Sequence, residues 1–165
     1  MSDAPPVVIR PARAEDLPAL EWEGEYQRFR LVYQRAYADS LRGRRVLLVA
    51  EVEGKVVGQI FLQVDSALAG GNGRSAYLYA LRVRPEVRNR GIGTELVREA
   101  EAILRQRGFA RALISVARDN DAARRLYERL GYEIFGQDPG NWSFFDDQGQ
   151  EQQVHEPAFL LDKTL

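Results

Sequence analysis

The sequence predicts an α/β fold of the α+β kind, a mixed sheet flanked by helices. Two observations carry this. Short β-branched runs and stripes of apolar residues at a 3.6-residue period follow one another in the order β-α-α-β-β-β-α-β-α-β-β, about seven strands and about four helices. Glycine, asparagine and aspartate mark most of the boundaries between them.

Val7 to Arg10 is a short β-rich run. Ala14-Glu-Asp-Leu17 then reads as a helix start with acids in its first turn, where they complement the helix dipole. From about Glu25 to Leu41, Tyr26, Phe29, Tyr33, Ala36 and Tyr37 recur near helical spacing and predict a second helix. Arg45 to Val52 and Val56 to Val64 are strands joined by Glu53-Gly-Lys55, a hairpin signal. Gly70-Gly-Asn-Gly73 predicts the next turn and Ala76 to Val83 the next strand.

Thr94 to Arg107 places Leu96, Val97, Ala100, Ile103 and Leu104 on one helical face, with Gly108 where a C-terminal cap belongs. Ala112 to Ala117 reads as a buried strand. Asp119 or Asn120 caps a further helix whose stripe is Ala123, Leu126, Tyr127 and Leu130, and Gly131 ends it. Two last strands fall near Tyr132 to Phe135 and Ala158 to Leu161. Between them, Gln137 to Gln153 is polar yet holds Trp142, Phe144 and Phe145, which suits a long hairpin excursion.

At 165 residues, with no linker, repeat or low-complexity stretch, residues 1–165 are expected to form one domain. The net charge of −1 gives no whole-surface attraction to nucleic acid, so any phosphate binding must be local. There is no cysteine, which removes thiolate zinc sites and a cysteine acyl-enzyme. His155 is the only histidine and is expected at the surface near the last strand, so no metal site is expected. The N-terminus MSDAPPVV lacks the pattern of a signal peptide and no apolar run approaches the roughly 20 residues of a membrane span, so a cytoplasmic protein is expected.

The chemistry concentrates at Val87-Arg-Asn-Arg-Gly-Ile-Gly-Thr-Glu-Leu96, where two arginines and two glycines meet a helix start. Unpaired N–H groups and the dipole make such a terminus attract phosphate, and glycine lets the backbone approach. Arg88 and Arg90 add formal charge. The other reading is a surface turn with solvated arginines. A P-loop string does not occur, and a dinucleotide fingerprint fails because Leu96 stands at its third glycine.

The run Leu81-Arg-Val-Arg-Pro-Glu-Val-Arg-Asn-Arg-Gly-Ile-Gly-Thr94 resembles the coenzyme A loop of the GNAT superfamily of N-acetyltransferases, with core [RQ]-x-x-G-x-[GA]. Arg88, Gly91 and Gly93 fill the core, and Val83 and Pro85 the approach. A second block, Asn120-Asp-Ala-Ala-Arg-Arg-Leu-Tyr-Glu-Arg-Leu-Gly-Tyr132, resembles the family's N-x-x-A-x-x-x-Y-x-x-x-G-[FY]. The resemblance extends to the element order of nearly the whole chain.

That resemblance implies a mostly antiparallel sheet whose fourth and fifth strands splay apart, with acetyl-CoA as co-substrate and no metal. It implies that Leu81 and Val83 offer backbone groups to the pantetheine arm, that Arg88, Asn89, Arg90, Gly91, Ile92, Gly93 and Thr94 hold the diphosphate, and that Asn120 also contacts the cofactor. A backbone N–H near Val83 would face the developing oxyanion. Tyr127 holds the family's position for protonating the departing thiolate, although it equally fits the apolar stripe. From ~10 for tyrosine and ~8.5 for a cysteine-like thiol, full transfer would run uphill by ~2 kcal/mol.

The implied reaction is direct attack of a primary amine, small-molecule or peptide, on the thioester. Tyr77-Leu-Tyr-Ala-Leu81 lacks the carboxylate that many relatives use as base, leaving Tyr79, Glu25 or a bound water. Glu21, Glu23 and Glu25 around Trp22 either attract a cationic amine or form a solvated face. Trp142, Phe144, Phe145, Asp146 and Asp147 either wall the acceptor site or anchor a hairpin. Arg124 and Arg125 either reach a ribose phosphate or are ordinary exposed arginines. Acyl-CoA binding without turnover and a nucleotide-dependent oxidoreductase are the competing functions. No membrane or nucleic-acid partner is expected, and homodimerisation through terminal strands would suit the architecture.

Overall fold

The computed structural model describes residues 4–64 and 75–165, so the turn expected at residues 70–73 lies outside the described residues. Seven strands form one sheet: β1 (Val7–Pro11), β2 (Arg45–Val52), β3 (Lys55–Gln63), β4 (Ser75–Val83), β5 (Arg111–Ala117), β6 (Glu133–Asp138) and, after a separate hairpin of β7 (Asn141–Phe145) with β8 (Glu151–His155), β9 (Ala158–Thr164). Their order across the sheet is β1-β2-β3-β4-β5-β9-β6. Among the described strands β4 and β5 run parallel and the other pairs are antiparallel.

Among the described residues three α-helices accompany the sheet: α1 (Arg30–Leu41), α2 (Ile92–Gln106) and α3 (Asp121–Arg129). The first expected helix is a 3₁₀ segment over Ala14–Gly24, and the second begins as a 3₁₀ turn at Gln27–Phe29. The reason is local. Pro18 cannot donate to a helical ladder, and Trp22, Glu23 and Gly24 all take positive φ (50°, 55° and 104°), a conformation that ends any right-handed helix.

Each face of the sheet has its own core. Leu48, Ile60, Leu62, Ala76 and Leu78 meet Leu96, Val97, Ala100 and Leu104 of α2 on one face. On the other, Leu47, Val49 and Phe61 meet Leu20, Tyr33 and Ala36. This is what alternation along a strand buried on both sides produces.

Two irregularities in β4 position the site. Ladder pairing of β4 with β5 runs only from Ser75/Arg111 to Leu78/Ile114, whereas β5 stays paired with β9 as far as Ala117. Beyond Leu78 the two parallel strands therefore part, as the family resemblance implied. The second is a bulge opposite Ile60, where β3 pairing shifts between Gln59/Arg82 and Phe61/Tyr79 and Ala80 takes φ 57°. One extra residue reverses the facing of everything after it. Before the bulge, even-numbered Ala76 and Leu78 face α2; after it, odd-numbered Leu81 and Val83 do, and Arg82 joins Tyr79 on the opposite face.

Candidate active site

The loop between β4 and α2 is held by its own backbone. Pro85–Val87 makes one 3₁₀ turn, Asn89 and Gly91 take left-handed φ of 64° and 78°, and Gly91 is the N-cap of α2 with no side chain capping it. Asparagine and glycine are the residues that tolerate this conformation best. α2 begins at Ile92, two residues earlier than its apolar stripe suggested, so Ile92, Gly93 and Thr94 are its first turn. Their N–H groups are among those that no intrahelical carbonyl can satisfy. Arg88, Asn89, Arg90 and Gly91 are exposed, and a Cβ added at Gly91 would meet nothing within 4 Å.

Gly93 marks where three elements converge. A Cβ placed there would lie 3.7 Å from Leu126 of α3 and 3.9 Å from Val83 of β4. The helix terminus, the unpaired end of β4 and the helix bearing Tyr127 thus meet at one place. Arg84 donates its N–H to Val57 at 2.8 Å, so by strand alternation Val83 and Leu81 direct their backbone groups away from β3, toward the gap. The Val83 carbonyl is partly engaged, because Arg88 Nε donates to it at 3.0 Å, and its second lone pair remains.

Tyr127 is 6% exposed and packs edge-on against Tyr132, with centroids 5.7 Å apart. It is therefore a member of the main core, as its place in the apolar stripe allowed. Burial pushes its pKa up from the ordinary tyrosine range, and the neighbouring Tyr77 adds to the shift. Tyr77 belongs to β4, in the stretch still paired with β5, where it stacks on Tyr79. Burial raises the Tyr77 pKa as well, while hydrogen bonding to Ser115 of β5 opposes the rise.

Asn120 caps α3. Its Oδ1 accepts from the Ala123 N–H at 3.1 Å, which commits that oxygen to the helix. Arg124 lies between Asp121 and Glu128 at 3.4 and 3.7 Å, and Arg125 donates to the Asp121 carbonyl, so both have partners on their own helix. His155 is exposed beside Asn141. Among the described residues no group of three histidine or acidic side chains could hold a metal ion. No described helix is long and apolar enough to cross a membrane.

On the opposite face the three glutamates separate. Glu21 takes Arg30 in a two-point contact at 2.8 and 3.0 Å, and Glu23 takes Arg84 at 2.8 and 3.0 Å. The hydrogen bond from Arg84 holds the Glu23 carboxyl below its usual range. These charges are answered within the protein, which removes the basis for reading them as bait for a cationic amine. Glu25 is exposed. The hairpin packs against this face: the Phe144 ring centre lies 4.7 Å from that of Phe29, that of Trp142 5.6 Å from that of Phe144, and Gln27 donates to Asp147 at 3.0 Å. Asp146 instead accepts from Gln148, Gln150 and Gln152 and organises the hairpin turn, while Phe145 is exposed.

Sequence reasoning passed over Arg82 and Gln59. Arg82 donates to the Tyr33 hydroxyl, and its guanidinium lies 3.5 Å from the ring centre of Tyr26 and 5.5 Å from that of Trp22. Gln59 is its partner in the β3/β4 register and is 1% exposed. The alternation of Tyr77-Leu-Tyr-Ala-Leu-Arg puts Arg82 on the α2 face; only the bulge moves it to the other, and no residue type announces a bulge.

A parted β4/β5 pair, the start of α2 and the helix that carries the buried Tyr127 thus come together. The model of the Acetyltransferase (GNAT) family matches residues 12–132, and the chain belongs to that family. It is similar in fold to ribosomal-protein-alanine N-acetyltransferase from Brucella melitensis, at 24% identity and TM-score 0.72, covering 96% of this chain and 99% of that one. An N-acetyltransferase from Staphylococcus aureus Mu50 superposes at TM-score 0.75 with 15% identity, covering 96% of this chain and 98% of the other. PaiA N-acetyltransferase from Thermoplasma acidophilum, in complex with coenzyme A, gives 0.67 at 20%, covering 97% and 99%.

Proposed function

We propose that the protein is an acetyl-CoA-dependent N-acetyltransferase acting directly on a primary amine. The observation that carries this reading is the convergence of Val83, Gly93 and Leu126 where β4 leaves β5. A gap between parallel strands exposes backbone donors and acceptors that a sheet would otherwise pair, and Leu81 and Val83 suit an amide-bearing pantetheine arm. Asn89 and Gly91, both left-handed, lie in a loop of the kind whose N–H groups form an anion-binding concavity. With Arg88, Arg90 and the start of α2, they suit a diphosphate. The fit favours acetyl-CoA on these grounds, and the relative crystallised with coenzyme A supports it.

Bound acetyl-CoA supplies an activated acetyl thioester, from which the amine displaces the thiol to give an amide. The Val83 N–H is the donor we assign to the charge that develops on the acetyl oxygen. Tyr127 we assign to the sulfur. With its pKa raised by burial, it stays protonated at neutral pH, and complete proton transfer becomes less favourable than for an ordinary tyrosine. Its contribution is then mainly a hydrogen bond donated as charge leaves on sulfur. The paired glutamates leave the amine's proton to Tyr79, Glu25 or water.

The burial of Tyr127 in the core is also what acyl-CoA binding without turnover would require. Thiol release on adding amines separates the two readings. The foundation of both is tested by calorimetric titration with acetyl-CoA, comparing wild type with the Arg88→Ala, Arg90→Ala double variant. Loss of two phosphate contacts is expected to weaken binding by roughly 100–10,000-fold, at about 1.5–3 kcal/mol for each hydrogen bond to a charged group. Failure of the wild type to bind would remove the proposal.

A further inference from the structure

We propose that Arg82, with Gln59 beside it, recognises a carboxylate on the acceptor, so that the acceptor is an amine of the amino-acid class. This rests on the acetyltransferase reading above and narrows it. Three independent features of the acceptor face lead there.

The first is charge. Among the described residues, Glu21 and Glu23 are each held by an arginine, while no carboxylate pairs with Arg82. Its one side-chain hydrogen-bond partner is the hydroxyl of Tyr33, and burial raises the pKa of that hydroxyl, so it brings no negative charge at neutral pH. A guanidinium cannot relieve the problem by losing its proton. The site therefore carries a positive charge that no carboxylate among the described residues answers.

The second is unused hydrogen-bonding capacity. Arg82 Nη1 is closed off from water and lacks a partner, as does Arg84 Nε just beyond the end of the strand; Gln59 Nε2 is closed off likewise, with only the neutral Tyr33 hydroxyl to interact with. Arg82 and Gln59 face each other in the strand register. Buried donors are nearly always satisfied, and unpaired ones collected at one place call for an acceptor. A carboxylate supplies two oxygens and a negative charge, which answers both features together.

The third is geometry. Tyr26 lies against the guanidinium at 3.5 Å from ring centre to carbon, with Trp22 at 5.5 Å and Tyr33 at 5.8 Å. Rings take the flat face of a guanidinium, whereas a carboxylate binds its N–H edge, so stacking leaves the recognition edge unclaimed. Trp22 sits on the segment in which Trp22, Glu23 and Gly24 all have positive φ, Tyr26 follows it two residues later and Tyr33 lies on α1; the Glu23–Arg84 pair, whose carboxylate is 72% exposed, ties the segment to the end of β4. Entry of a carboxylate requires Trp22 and Tyr26 to shift against the ion pairs that Glu21 and Glu23 make with Arg30 and Arg84.

Arg82 is also the residue before Val83, whose N–H we assign to the acetyl oxygen. A carboxylate held at Arg82 sets a neighbouring α-amine near the reacting carbon. The same positive charge disfavours the ammonium form of that amine. That shift serves a strand, Tyr77 to Leu81, that carries no carboxylate base.

The test is a panel of α-amino acids, each beside its own carboxamide, assayed by thiol release with wild type, Arg82→Gln, Arg82→Lys and Gln59→Leu. The expected result is a kcat/KM roughly 10–100-fold higher for the free acids in wild type, carried mainly by KM. Arg82→Gln should abolish the preference, Arg82→Lys should keep part of it and Gln59→Leu should reduce it. Acetyl-CoA titration of every variant separates loss of recognition from loss of folding or of cofactor binding. Equal turnover of acids and carboxamides, or a preference that survives Arg82→Gln, overturns the proposal while leaving the acetyltransferase reading intact. Should no amine be turned over, N-acetyl amino acids titrated into protein saturated with coenzyme A decide instead. Binding that is lost in Arg82→Gln upholds carboxylate recognition on its own, and absence of binding sinks it.

Discussion

Tyr127 has two duties that pull in different directions. Packing against Tyr132 in the main core asks for its ring, and the proposed chemistry asks only for its hydroxyl. Tyr127→Phe keeps the ring and removes the oxygen. We expect kcat to fall by roughly 10–100-fold, the size of a lost hydrogen bond to a charged group, with acetyl-CoA affinity changed by less than about twofold. Steady-state kinetics beside a calorimetric titration reads both numbers; an unchanged kcat would make Tyr127 a packing residue alone. Residue identities of this kind were open to reading in the sequence, because Tyr127, Gly91 and Gly93 stand in spaced blocks. What the partners of a residue do was not. Asn120 fits its block, yet its side-chain oxygen is spent on the Ala123 N–H. Glu23 lies in a run of acids and still meets an arginine 61 positions away.

At the scale of elements, β4 is where the sequence is least informative and the function most dependent. Its apolar alternation identifies a strand, and the block after it identifies a loop and helix. Neither tells where pairing with β5 stops, because that depends on two strands separated by α2. Nor do they show the bulge at Ala80, which needs one residue more than β3 can pair. Gly58 on β3 gives a way to disturb this region from a neighbouring strand while leaving every proposed catalytic residue in the sequence. A Cβ there would lie 3.1 Å from the Arg82 carbonyl, 3.3 Å from Leu96 and 3.4 Å from Val83. The carbonyl is backbone and can yield only by shifting β4. Gly58→Ala is therefore expected to cost about 1–3 kcal/mol in stability, as overpacking does, and to weaken acetyl-CoA binding by displacing Leu81 and Val83. Urea denaturation with acetyl-CoA titration checks both; a stable variant with normal affinity would mean that β4 absorbs the methyl without moving. Local rules also missed the 3₁₀ character of Ala14–Gly24, where left-handed residues serve an ion pair to Arg84 rather than a helix.

Across the whole molecule, buried titratable groups fix how stability responds to pH. Glu101 is 3% exposed on α2, and it accepts from the Tyr132 hydroxyl at 2.8 Å and from Lys163 of β9 at 3.0 and 3.1 Å. Helix, sheet and the start of β6 are joined through one carboxylate. Burial raises the Tyr132 pKa, Glu101 raises it further, and burial raises that of Tyr127. Above about pH 10 the unfolded chain loses tyrosine protons that the folded protein keeps. The unfolded state then binds fewer protons, so stability must fall as pH rises from that point. Asp16 works at the other end. Its hydrogen bond from Arg10 lowers its pKa, so the stability it brings is present above about pH 4, its unfolded value, and is lost as pH falls below. Urea denaturation at a series of pH values should give a plateau with both limbs. Tyr132→Phe separates the causes on the alkaline side. It removes one hydrogen bond to a buried charge, which should cost about 1–3 kcal/mol near pH 7. It also removes one of four raised tyrosines, the others being Tyr33, Tyr77 and Tyr127, so its alkaline limb should be shallower than that of wild type. A variant that is weaker at pH 7 with an undiminished alkaline slope would show that Tyr132 supports the fold through Glu101 without contributing to its response to base.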